Sequence, residues 1–139
     1  MLGRLELAPD QVRVLVASHD GLTREILERT LTPRGYDCVF VDSAVEAADV
    51  LGRQEFDLLL LDVFMPDTPA MESLRVVADH PRMAVVVLTA FASALVTEAI
   101  KLRADELIAG PANLDELVQR IERAIKRRAL LTSDIDDHQ

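Results

Sequence analysis

Asp62 is the residue of this chain best placed for chemistry, because the apolar run Leu58 to Leu61 delivers its carboxylate to an irregular Met65-Pro66 segment. Four leucines without alternation suit a strand covered on both faces, as in a parallel sheet. The carboxylate then stands at the carboxyl end of a strand, where such sheets place their chemistry. Other candidates are weaker. Ser18, His19 and Asp62 have the residue types of a hydrolytic triad, but adjacent Ser18 and His19 need special turn geometry to make a nucleophile–base pair. A neutral His19 suits zinc or copper better than magnesium, and His19 with Asp62 alone does not make a metal site. The chain contains no GxGxxG and no GxxxxGK followed by Ser or Thr, so the phosphate loops of nucleotide enzymes are missing. No enzymatic activity is expected.

The elements that must position Asp62 alternate along the chain. Strands are predicted at residues 12–17, 36–41, 57–61, 83–88 and 107–109, from compact runs rich in Val, Ile and Leu. Helices are predicted between them. The first covers 21–31, with Leu22, Ile26 and Leu27 on one side and Pro33 and Gly35 ending it. Ser43 and Glu46 form a capping box for a second, through about residue 54. Thr68-Pro69 starts a third that ends near residue 80, and Ser93 caps a fourth to about 103. Asn113 opens the last, whose stripe is Leu114, Leu117, Val118, Ile121 and Ile125. Five strands alternating with five helices imply an α/β fold on a parallel sheet. Right-handed crossovers place helices on both faces, so the strand order must reverse somewhere.

Composition sets the class. The 139 residues fit one domain, 50% of them hydrophobic and only 4% aromatic, which indicates a core of Leu, Val, Ile and Ala. Residues 1–11 read as an N-terminal extension, 12–131 as the domain and 132–139 as an acidic flexible tail. Neither a secretory signal nor a membrane span is expected, and the reading is a soluble, cytoplasmic protein. The formal charge of −9 argues against nucleic acid as the partner of this domain. Lys126, Arg127 and Arg128 read as a solvated last helical turn complementing the helix dipole. Cys38, the only cysteine, reads as core filling on a strand.

Three segments carry a resemblance: Leu61-Asp62-Val63-Phe64-Met65-Pro66, Val87-Leu88-Thr89-Ala90, and Thr23-Arg24-Glu25-Ile26-Leu27. Together they resemble the response-regulator receiver domain of two-component signalling, over residues 12–127. The resemblance implies a doubly wound, flavodoxin-like sheet of order 2-1-3-4-5, as in a chemotaxis member of the family. It also implies a crevice lined by Ser18, His19, Asp20, Asp62 and Thr89, with Gly110 closing one side. By position Asp62 is the phosphoacceptor. Thr89 matches the switch hydroxyl that bonds a phosphoryl oxygen; a satisfied strand-end threonine is the other reading.

The departures from the family pattern are specific. Receivers usually place two acidic residues after the first strand, and those positions hold Ser18 and His19. Asp20 is the one carboxylate left in that turn, either reaching a metal or capping the first helix. Mg2+ binding is therefore expected to be weak, with Asp62 and Asp20 as its carboxylates. Gly110 stands in the lysine position, ahead of Pro111, in a bond that is cis in the family. A charged hydrogen bond to phosphate, typically worth ~1.5–3 kcal/mol, is lost there. Leu107 replaces the usual Tyr or Phe, and Pro69-Ala70 replaces the common Asp-Gly. The main reading is a pseudo-receiver acting through protein–protein contacts. Its partners would be a histidine kinase, a phosphotransferase or an effector, or a second copy. The face used would combine the helix over 93–103, the fifth strand and the last helix, with Leu95, Leu102 and Ala129-Leu130-Leu131 as candidates. The alternative is a phosphorylation-competent receiver in which Arg103 or another base replaces the lysine.

Overall fold

The computed structural model describes residues 12–62, 80–89, 103–109 and 113–133. The helix predicted from Thr68, that predicted from Ser93 apart from Arg103, Gly110-Pro111, the extension 1–11 and the tail after 133 lie outside these residues. The described strands are β1 (Arg13–Ala17), β2 (Asp37–Val41), β3 (Leu58–Asp62), β4 (Ala84–Thr89) and β5 (Glu106–Ala109). The helices are α1 (Gly21–Leu31), α2 (Ala44–Leu51) and α3 (Leu114–Leu131). All strand pairs are parallel and the order is β2-β1-β3-β4-β5. The flavodoxin-like order expected from the resemblance is the order found.

The leucine run explains why β3 lies at the centre. Leu58 to Leu61 are each at most 2% exposed. Leu59 and Leu61 join Leu15, Val85 and Val87 beneath Ala47, Val50 and Leu51 of α2. Leu58 and Leu60 join Val14, Val16 and Val86 beneath α1 and α3, which supply Leu27, Leu31, Leu117 and Ile121. Each such burial contributes about 1.5–3 kcal/mol, so the run without alternation feeds two layers at once.

Local signals set the helix ends. Asp20, Ser43 and Asn113 each accept a bond from a first-turn backbone N–H of α1, α2 and α3. Past α1 the chain tightens into a 3-10 turn at Thr32–Arg34, then turns at Gly35, whose φ of 93° is left-handed and suits glycine. The structure shifts several predicted edges. β3 and β4 each end one residue later than predicted, at Asp62 and Thr89, and α2 stops at Leu51 instead of residue 54 because Gly52 caps it.

The predicted face of α1 needs correction. Leu27 is buried, but Leu22 is 64% and Ile26 41% exposed, and the buried stripe continues through Thr30 and Leu31. Thr30 is tolerated inside because its hydroxyl donates to the Ile26 carbonyl at 2.7 Å. Leu114 in α3 is likewise half-exposed, while Leu117, Val118, Ile121 and Ile125 are buried as the stripe requires.

An ionic clamp closes the amino-terminal edge of the sheet. Asp105 precedes β5, and its side chain is 2% exposed. Its carboxylate accepts from the Val85 N–H at 2.9 Å and from Arg128 Nε and Nη2 at 3.0 and 2.6 Å. Arg127 donates to the Asp105 carbonyl at 2.9 Å. Arg128 is thus a buried-edge anchor tying the end of α3 to β4 and β5, which corrects its reading as part of a solvated turn.

Cys38 lies in β2, half-buried against the α1–α3 layer. Burial, then the Asp37 charge, push its thiol up to about 11. Alkylation by iodoacetamide at pH 7.5 should therefore run more than about tenfold slower than for a free cysteine, and should accelerate up to pH 10. A rate matching the free thiol would contradict this burial.

Candidate functional site

The carboxyl ends of β1, β3 and β4 bring the predicted site residues together. Asp62 is the last residue of β3 and pairs with Leu88, so Thr89 stands one residue beyond it on β4. Asp62 is half-buried and Thr89 buried. Both line one cavity, together with His19 and Asp20.

Ser18 follows β1 and is 1% exposed. Its hydroxyl donates to Asp62 Oδ2 at 3.1 Å and accepts from the Asp20 N–H at 3.2 Å. The Ser18 carbonyl in turn accepts from Arg24 Nη1 at 2.6 Å, which fixes the turn from the first helical residues. A buried hydroxyl therefore occupies one face of the Asp62 carboxylate.

Asp20 is committed to the helix. Its Oδ1 accepts from the Leu22 N–H at 3.2 Å, and its Oδ2 accepts from the Thr23 hydroxyl at 2.7 Å. The Thr23 hydroxyl, then the Leu22 N–H, hold the Asp20 carboxyl below its ordinary value. Of the two roles open to Asp20 in the sequence, the structure shows the cap. His19 is exposed. Among the described residues no three His, Cys, Asp or Glu side chains gather as a metal cluster.

Arg103 is not in the site. One guanidinium nitrogen, Nη2, donates to the carbonyls of His80, at 2.8 Å, and Met83. Nη1 lies 3.5 Å from Asp105 Oδ2. These groups sit at the amino ends of β4 and β5, roughly 16 Å of strand from Thr89. The expectation that Arg103 replaces the lysine is thus corrected: its partners hold it at the opposite edge. Gly110 lies outside the described residues.

Comparison with known proteins agrees with this layout. The profile of the response regulator receiver domain matches residues 14–122. The response regulator MprA of Mycobacterium ulcerans (strain Agy99) is 35% identical over 127 residues, covering 88% of this chain and 53% of that protein. The chain thus spans about half the length of that relative. A CheY-like receiver domain protein from Methanospirillum hungatei JF-1 superposes with a TM-score of 0.80 at 23% identity, covering 86% of this chain and 97% of the other. The response regulator TrrA from Thermotoga maritima, solved in complex with Mg(2+)-BeF, gives 0.71 at 26% identity, covering 82% and 99%.

Proposed function

The chain belongs to the response regulator receiver domain family, and from that premise we propose that it is a degenerate receiver, signalling through protein–protein contacts instead of ordinary aspartyl phosphorylation. The carrying observation is the state of the turn after β1. Asp20 spends both carboxylate oxygens on the α1 cap, and Ser18 puts a hydroxyl on Asp62.

Receiver domains commonly bind Mg2+ at the phosphorylation site, and the described residues fit that ion poorly. Mg2+ prefers carboxylate oxygens in near-ideal octahedral geometry. Here Asp62 supplies one carboxylate whose Oδ2 already accepts from Ser18, and Asp20 is turned into its helix. Transfer of a phosphoryl group to Asp62 brings together two anions, which requires cationic neutralisation. Arg103 is too far away to supply it. No step through a metal is derived.

Output would then pass through surface. The end of α3 carries Leu130 and Leu131, 60% and 61% exposed. They are the part of the predicted contact face that the described residues show open, and a kinase, a phosphotransferase, an effector or a second copy of the chain would meet it there. The module has no turnover of its own in this reading.

An amide NMR titration tests it, first with magnesium and then with magnesium plus fluoroberyllate, the phosphoryl mimic carried by TrrA. A degenerate site gives no saturable shifts at Asp62, Thr89 or Leu107 in a well-folded sample. Saturable shifts at those three amides would overturn the proposal and make Asp62 a working acceptor. That reading would draw on the placement of Asp62 and Thr89 around one cavity.

A further inference from the structure

β2 is the outermost strand on its side of the sheet, and among the described residues no strand lies beyond it. Its register with β1 fixes where its backbone points. The Asp37 N–H donates to the Val12 carbonyl at 3.0 Å, and the Val41 carbonyl accepts from the Ser18 N–H at 3.1 Å. Alternate residues of a parallel strand bond the same neighbour, so Asp37, Val39 and Val41 turn their backbone groups to β1. Cys38 and Phe40 turn theirs outward, to the open side. Outer strands are commonly guarded by lysine, proline or a bulge, and β2, Asp-Cys-Val-Phe-Val in unbroken register, has none of these. We propose that β2 pairs antiparallel with the β2 of a second copy of this chain, about a two-fold axis at Val39.

The strand is complementary to itself in that register. Cys38 comes opposite Phe40 of the other copy, and the two exchange N–H and carbonyl bonds, so the outward groups of both strands are satisfied. On the face shared with α1 and α3, the small Cys38 side chain meets the large Phe40 ring. On the α2 face, Val39 meets its own copy at the closer, non-hydrogen-bonded spacing. Charge agrees with this arrangement. Arg34 precedes the strand and exposed Asp42 follows it, so antiparallel pairing sets the arginine of one copy toward the aspartate of the other. Asp37 brings no uncompensated charge, because Arg13 Nε donates to it at 3.2 Å. The contact is short and the formal charge of −9 opposes it. The dimer is therefore weak, with a dissociation constant between about 1 μM and 1 mM. It forms one continuous sheet across both copies, with β5 and the end of α3 at the outer sides, away from the contact.

The pairing goes beyond the degenerate-receiver reading and does not rest on it. Its test omits magnesium and fluoroberyllate, so its failure leaves that reading untouched. Sedimentation equilibrium of the full chain, with a thiol reductant present, should show a monomer–dimer equilibrium within that range of dissociation constants. Amide hydrogen exchange locates the contact. Raising the protein from about 20 μM to about 1 mM should slow exchange at Cys38 and Phe40 at least about twofold, as the dimer fraction rises. The amides of Asp37, Val39 and Val41, already bonded to β1, should not change. Val39→Lys places like charges opposite each other at the axis and should abolish association. Cys38→Pro removes an outward N–H without touching the bonds to β1, and should abolish it too. Leu131→Lys, at the end of α3, should leave it intact. A monomer at every concentration would overturn the proposal. So would a dimer in which Cys38 and Phe40 exchange at the same rate as in the monomer, or one that survives both β2 variants in folded form.

Discussion

Replacing Asp105 by alanine should cost about 3–5 kcal/mol of folding stability, the usual penalty for breaking a buried ion pair by removing one partner. The size follows from what the carboxylate holds. It neutralises Arg128, whose side chain is 18% exposed, and sits 3.5 Å from Arg103, which is 14% exposed. Burial, then the Arg128 charge, already pull the Arg103 guanidinium below its ordinary value, so the two cations stand together only with an anion between them. The Val85 N–H would lose its acceptor as well. Urea unfolding should show the midpoint falling with an unchanged slope. A loss under about 1 kcal/mol would mean that solvent screens this cluster as it does a surface pair. Asp105→Asn keeps the shape but not the charge, and should recover only a minor part.

The second expected result concerns Ser18. Replacing it by aspartate should create a divalent-metal site where the natural chain has a hydroxyl. Ser18 Oγ lies 3.1 Å from Asp62 Oδ2, so the new carboxylate would face Asp62 at close range. Without metal the like charges repel, and the variant should be less stable than the natural chain at neutral pH. With Mg2+ the repulsion becomes a ligand pair. Saturating magnesium should then raise the variant's stability by about 2.7 kcal/mol at one hundred times its dissociation constant. The natural chain should respond far less. Thermal unfolding with and without magnesium measures both arms, and an equal response in the two proteins would sink the argument that Ser18 disables the site.

Much of the fold is legible in the sequence because its signals are local. The leucine run declares a strand covered on both faces, Pro33 and Gly35 declare the end of the first helix, and Ser43 and Asn113 declare helix starts. The Asp20 cap is one of two roles the sequence leaves open, and the bonds to Leu22 and Thr23 decide it. Other features depend on long-range register. Arg103, Asp105 and Arg128 meet because β5 sits beside β4 and α3 runs far enough to return over them. No spacing in the chain announces this, so Arg103 looks available for the site and Arg128 looks solvated. The Ser18–Asp62 bond joins residues 44 apart and is equally silent. The face of α1 is set by the sheet beneath it, which selects Leu27, Thr30 and Leu31 and leaves Leu22 outside.

Asp105 and Asp62 lie at opposite edges of the parallel sheet, before β5 and at the end of β3. The bonds that hold Asp105 involve Val85, Arg127 and Arg128, none of which touches Ser18, His19 or Asp62. Inheritance can therefore act on the two ends separately. Residues around Asp62 can change without disturbing the anchor that closes the sheet. The separation of the two ends makes the domain evolvable.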